Sequence, residues 1–415
     1  MQRPLLLAVG ALVFCILLTA NSGGYRYGVS DQAFYIPVVL DQITPGLFPH
    51  DGDLIDAQDR FFLFDNWFAP IVHLGGLSLP LAFLAAQLLT LSLLYAAIVG
   101  IGRVFYRTWW SVGGLVLLLT IRHRISYTAV NSVEGYFHPR MLAFAIGLSA
   151  TALFLAGRTR AALVVVALAL LAHPTTGLWF VLLIAVAAVV SDRPALKPLL
   201  VWSGAATVGV VLVLAYPLRD QLARMDATWT QVLSVKDYLV VPGWPVAAWL
   251  THLAIAAVTF ALYAYRRSLG VASQREGALI AGCGLLFALF LVSVPFSYAG
   301  VALAVQLQFN RVFWLLDLVG IAYLGWLLVE SPLGVRRPTG VTGVRPRRAV
   351  VVVFALLSLS RGGYRVLVED GGKPMFQYQL AETNWNEVMR WASAQPVGTH
   401  FLAHPDHALR YGTSV

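Results

Sequence analysis

Eleven long apolar runs constrain this chain more than any other feature. They lie at about Leu5–Leu18, Leu77–Ile101, Trp109–Ile121, Met141–Ala156, Ala161–Ala172, Thr176–Val190, Leu199–Tyr216, Val246–Tyr265, Ala278–Val294, Val312–Val329 and Ala349–Leu359. The chain has 415 residues, of which 59% are hydrophobic and 12% charged. A soluble domain carries roughly 25% charged residues. The sequence therefore predicts an all-α polytopic membrane protein with about eleven transmembrane helices. Several runs fall short of the roughly 20 residues that cross a bilayer. Those are expected to tilt, to break, or to line protein cavities.

Charge placement sets the expected topology. Arg3 precedes the first run, and Thr19-Ala20-Asn21-Ser22 is a poor cleavage site. An uncleaved first helix with a cytoplasmic N-terminus is favoured over a signal peptide. Ala161–Val190 is either one kinked helix or a hairpin turning at His173-Pro174. With a hairpin, Arg103/Arg107, Arg158/Arg160, Arg193/Lys197, Arg266/Arg267/Arg275 and Arg336/Arg337/Arg345/Arg347/Arg348 all fall inside. With Arg3, that side then holds fifteen basic residues against Asp192, Glu276 and Glu330. Its net +12 leaves −3 elsewhere, in keeping with the chain's +9. The expected location is a bacterial inner membrane, with the C-terminus outside. In this setting the positive charge reports orientation and no nucleic-acid partner is implied. Cys15 and Cys283 both sit in apolar runs, a poor context for a disulfide or a cysteine metal site.

The expected organisation is a membrane domain over residues 1–360, with a carboxylate-rich first outer loop at 21–75, and an extracytoplasmic segment over 361–415. In that last segment, Glu382–Ala394 has an amphipathic helical pattern and His400–Ala403 a short strand pattern, so a small α/β unit is expected. The polar stretch before Val415 shows no evident stop signal, as a fragment would.

Candidate chemistry collects in the outer segments. Asp31 stands about ten residues beyond the first run. A carboxylate there can accept a proton or hold a cation, and it can also simply cap the helix that follows. Asp51, Asp53, Asp56 and Asp59 lack the full calcium-loop pattern, so a solvated acidic turn is the plainer account. Asn131–Met141 packs Glu134, Tyr136, His138 and Arg140 together. Glu134 and His138 suit acid/base or metal chemistry, and Arg140 suits a phosphate; headgroup anchoring is the competing account. His173 lies in an apolar stretch, where it is costly without a cavity or partner. Thr175 or Thr176 is expected to cap the next helix. Gln306, Gln308, Asn310 and Arg311 precede Asp317, which is expected to pair with an arginine or to be functional. No P-loop, Rossmann, HExxH, GxSxG or CxxC pattern occurs in a supporting context.

The early loop acid Asp31, many helices of which several are short, and a closing outer segment together resemble the GT-C superfamily of membrane glycosyltransferases. The chain is also similar to bacterial membrane proteins of unassigned function with GT-C-like architecture. The matching residues are Asp31-Gln32 with Tyr35 and Pro37, Gly135–Arg140, and His173–Thr176. The GT-C resemblance implies a polyprenyl-phosphate-linked sugar donor and an acceptor on the outer face. It implies Asp31 as base or cation ligand, assisted by Glu134 and His138, and Arg140 or Arg311 as phosphate ligands. His173 and Tyr35 would complete the substrate site. A divalent cation (Mg or Mn) held by Asp31 and Glu134 is a further expectation, although no second-loop Asp-x-Asp is evident. Membrane lipids are the other expected partner. Two other classes stay open: a transporter or flippase for a lipid-linked or anionic solute, and a non-catalytic envelope scaffold. The scaffold predicts that the polar residues scatter.

Overall fold

The structure is a computed structural model that describes residues 2–48, 51–59, 62–192, 222–332, 347–380, 384–396, 398–399 and 401. Ten of the eleven apolar runs are helices in it; Leu199–Tyr216 lies outside the described residues. Six of the helices are long and apolar enough to cross a membrane by themselves: α1 (Gln2–Asn21), α5 (Leu79–Phe105), α9 (Pro174–Ser191), α11 (Val246–Ser268), α12 (Gln274–Tyr298) and α15 (Arg348–Tyr364, continued by a π turn to Glu369). A seventh span joins the short α13 (Ala302–Gln306) to α14 (Val312–Val329). Three apolar helices are shorter: α6 (Trp109–Leu118), α7 (Pro139–Leu155) and α8 (Thr159–Ala172). The chain is thus a mostly helical, multi-pass membrane protein.

The short helices sit where protein surrounds them. In α7, Met141, Ala143, Phe144, Ala145, Leu148, Ala150 and Phe154 are all buried. At 1.5 Å per residue its 17 residues span about 25 Å, short of the hydrocarbon thickness. Neighbouring helices replace lipid around it. Gly147 lets α9 approach, because a Cβ there would run into the Phe180 ring.

The segment Ala161–Val190 is a hairpin. The Thr159 hydroxyl at the start of α8 donates to the Asp192 carboxylate just past α9, so the two free ends of the hairpin lie together and His173 marks the opposite turn. Arg275 closes this end on Asp192 at 2.9 Å. The basic clusters gather there. Glu330 accepts from the Arg107 and Thr108 backbone N–H groups, and Arg266 pairs with Glu276 at 2.7 Å beneath Trp326. Arg193, Lys197, Arg336, Arg337 and Arg345 lie outside the described residues.

At the other end, the segment after α1 departs from a simple acidic loop. It folds into α2 (Gln32–Ile43), α3 (Gly52–Asp59) and α4 (Phe64–Leu74). The apolar faces of α2 and α4 enclose a second core with Tyr25, Tyr27, Ile36, Val39, Phe64, Phe68, Phe83 and Phe137. Phe64 and Phe68 stack at 4.6 Å, and Phe83 meets Phe137 edge-on at 5.5 Å. Such pairs add about 0.5–1.5 kcal/mol each beyond burial. Asp51 and Asp53 are exposed at the start of α3, as a solvated turn requires.

Two short ladders complete this end. β1 (Tyr25–Arg26) pairs in parallel with β4 (Phe376–Gln377), and β2 (Arg124–Ile125) pairs with β3 (Val130–Asn131) in a hairpin. The C-terminal segment therefore packs on the first loop through a strand that the sequence pattern did not mark. The strand expected at His400–Ala403 lies, apart from Phe401, outside the described residues. The amphipathic helix is α16 (Asn384–Ser393).

This arrangement has a testable consequence for topology. In a cysteine-free background, single cysteines at Thr44 and Lys373 should both react with an impermeant maleimide on intact cells. A cysteine at Arg160 should react only after permeabilisation. Opposite labelling at 44 and 373 would contradict the β1–β4 pairing.

Candidate functional site

Two buried histidines organise the polar end of the bundle. Each precedes a proline and caps the helix that the proline begins, a position where the missing N–H costs nothing. His138 Nδ1 accepts from the Arg140 N–H at 3.0 Å, and His173 Nδ1 accepts from the Thr176 N–H at 3.3 Å. His173 itself is thus the cap expected of Thr175 or Thr176. Because Nδ1 accepts in both rings, Nε2 carries the proton. In His138 that proton goes to Asp31 Oδ2 at 3.0 Å.

Asp31 is not a helix cap. It precedes α2, yet its side chain makes no capping hydrogen bond. Gln32 fixes its position from one residue away: Nε2 donates to the Phe137 carbonyl at 2.9 Å, and Oε1 accepts from the Gly28 N–H at 2.7 Å. The Asp31 carboxylate is thereby turned onto His138 and Arg140, the latter at 3.6 Å. Arg140 also pairs with Glu134 at 3.2 Å, both being nearly inaccessible. Asn131 and Arg122 hold the other Glu134 oxygen at 2.9 and 3.6 Å.

These groups line one cleft of about 570 Å³. Asp31, Tyr35, Glu134, His138, Arg140, His173 and Arg311, the seven residues singled out from the sequence, all face it. The scatter that the scaffold reading predicts is therefore not found. Arg122, Lys236 and Tyr238 also line it and carried no sequence signal. Arg122 arrives on the β2–β3 hairpin, and Lys236 and Tyr238 from the segment after α10 (Ala227–Ser234). Asn310 ties the two together, donating to the Tyr127 and Tyr238 carbonyls at 2.8 and 3.0 Å.

The electrostatics favour an anion. Arg122, Arg140, Lys236 and Arg311 outnumber Asp31 and Glu134 by two charges. Arg311 pairs with no described carboxylate; its Nε donates only to the Thr128 carbonyl at 3.4 Å. Arg140 Nε is buried without a partner among the described residues. The first turns of α7 and α9 also point their positive ends at this region. Burial favours the neutral acid at Asp31, but the His138 hydrogen bond and the Arg140 and Arg311 charges outweigh it. The carboxyl is held well below the usual carboxylate range. Burial first, then Arg140, pushes the His138 ring down to about 4. Burial pushes His173 down as well. Both rings are neutral near pH 7, so His138 orients Asp31 as a donor.

Backbone strain converges here too. Among the described residues, four non-glycines adopt positive φ: Ser30 (54°), Tyr127 (45°), Ala129 (52°) and Gln308 (50°). Three of them line the cleft, and the fourth supplies a carbonyl to Asn310. Such residues cost about 1 kcal/mol or more each and cluster at functional sites.

One expectation is corrected. Asp317 pairs with His123 at 2.8 Å, not with an arginine. Asp31 and Glu134 do not fit a resident Mg or Mn ion. The Arg140 guanidinium lies between them, and a fixed cation there repels a second one. Among the described residues, no three His, Cys, Asp or Glu side chains converge as a metal site.

Stability should depend on pH through His138. Its folded value of about 4 lies below the ordinary 6.5. Between those values the unfolded chain binds more protons, so stability should fall as pH drops from 6.5 toward 4, by as much as about 3 kcal/mol. His138→Asn keeps an acceptor for the Arg140 N–H and removes the ionisable ring. Thermal melts across that window should show a shallower slope for the variant; an unchanged slope would assign the titration elsewhere.

No protein-family model, curated protein or solved structure matches this chain, so the site is assigned on its geometry and chemistry.

Proposed function

We propose that this chain is a membrane glycosyltransferase of the GT-C type, moving a sugar from a polyprenyl-phosphate donor to an acceptor hydroxyl on the extracytoplasmic face. The observation that carries this reading is a single oriented carboxylate, Asp31, at the mouth of a cleft with surplus guanidinium charge. Arg311 and Arg140 are placed to hold the donor phosphate, with Lys236 and Arg122 adding to the field. The acceptor oxygen attacks the sugar's anomeric carbon as the carbon–oxygen bond to phosphate breaks. The electron pair leaves on the polyprenyl phosphate, and Asp31 takes the hydroxyl proton.

Those cations stabilise the charge that grows on the leaving phosphate. In the absence of an anion they also make Asp31 a weak base. A bound phosphate cancels much of the Arg140 and Arg311 field and so raises the proton affinity of Asp31. Base strength would then appear only with donor in place. No step is assigned to a metal.

The test is to supply purified protein in nanodiscs with a panel of polyprenyl-phosphate sugars together with a panel of hydroxyl acceptors, neutral and anionic, and measure the polyprenyl phosphate released. Release above protein-free controls with at least one sugar is expected. Uptake of lipid-linked or anionic solute into proteoliposomes, with no bond cleavage, would instead support a transporter. Neither release nor uptake would leave a scaffold.

A further inference from the structure

A second polar cleft, of about 510 Å³, lies between the first outer segment and the C-terminal segment. Among the described residues, Arg26, Arg122, Arg365 and Lys373 line it against one carboxylate, Asp370. Arg365 pairs with Glu369 at 2.7 Å and Lys373 approaches Asp370 at 4.0 Å. Arg26 pairs with no described carboxylate; it donates to the Tyr25 and Pro374 carbonyls at 2.8 and 2.9 Å. The β1–β4 ladder holds both walls of this cleft together.

The two clefts are neighbours. Arg122 and Tyr136 line both, and the chain passes from Val29 in the second to Ser30 and Asp31 in the first. The Tyr136 hydroxyl donates to Ser30 Oγ at 3.1 Å, which fixes this partition. The second cleft therefore adjoins the one that holds Asp31, with the Tyr136–Ser30 contact between them.

We infer that the second cleft is the acceptor subsite, and that the acceptor is a glycan or headgroup bearing a phosphate or carboxylate. This rests on the donor reading of the first cleft. Arg26, Lys373 and Arg122 hold the anionic group, because guanidinium and ammonium donors favour charged oxygens over neutral hydroxyls. A neighbouring hydroxyl of the same molecule then meets Asp31. The new bond joins that oxygen to the anomeric carbon, the donor's carbon–phosphate-oxygen bond breaks, and the proton passes to Asp31.

The experiment uses full-length protein in phosphatidylcholine nanodiscs. Farnesyl phosphate is titrated first. Saturable binding that weakens in Arg311→Gln supports the donor reading, and its absence counts against that reading alone. With farnesyl phosphate saturating, glycerol 3-phosphate, glucuronate and glycerol are titrated as phosphate, carboxylate and neutral probes. At least one anion should bind about tenfold or more tightly than glycerol. The Lys373→Glu and Arg26→Gln double variant should lose about tenfold, and Lys373→Glu alone several-fold. Lys373 is 62% exposed, so that single variant should fold normally. Equal binding of glycerol, no anion binding, or anion binding indifferent to both variants would overturn the assignment. Anionic lipid added to the nanodisc distinguishes the sources: competition marks a headgroup as acceptor, and no competition marks a soluble anionic glycan.

Discussion

The Asp31→Asn variant is expected to lose sugar transfer by about 10²–10⁴-fold, the usual contribution of a positioned general base. The fold should survive. The Asp31 side chain is 43% exposed, and the asparagine carbonyl can still accept from His138 Nε2. Arg140 keeps its closer partner, Glu134. The variant therefore removes basicity and leaves shape. It should still bind farnesyl phosphate, and more tightly than the wild type, because a negative charge beside the phosphate is gone. Transfer within a few-fold of wild type would strip Asp31 of its role as base.

The second large effect is on stability. Arg140→Leu should destabilise the protein by about 3–5 kcal/mol, the usual result of breaking a buried ion pair from one side. Glu134 would then face a buried, half-compensated charge, with only Asn131 and a longer contact to Arg122 remaining. Adding Glu134→Gln should recover part of the loss, because the two side chains act as one unit. Thermal or denaturant unfolding in nanodiscs measures both variants. If the two losses simply add, the Arg140–Glu134 contact does not hold the cleft together.

The helices were legible because lipid leaves no alternative: backbone polar groups in hydrocarbon must pair within the segment. The positive clusters identified the Ala161–Val190 hairpin for a similar reason, and the Thr159–Asp192 contact closes it. Asp31, Glu134, His138, Arg140, His173 and Arg311 stood out because charged or imidazole groups beside apolar runs are costly without a use.

Other parts left no local trace. Arg122 and Lys236 become cleft residues only because the β2–β3 hairpin and the segment after α10 fold over the bundle end. His123 meets Asp317 across 194 positions of sequence. The β1–β4 ladder has two residues per strand, too few for alternation to register. The first outer segment suggested acidic solvent exposure, since its carboxylates are conspicuous. Its phenylalanines decided the fold, because burying each contributes about 1.5–3 kcal/mol, whereas the exposed acids lose little solvation.

The most direct measurement is a structure of the protein with polyprenyl phosphate bound. The account expects the phosphate in the first cleft, within hydrogen-bond distance of Arg311 or Arg140 and beside Asp31. Phosphate bound instead at the opposite end, among Arg103, Arg158 and Arg348, with the Asp31 cleft unchanged, would contradict it.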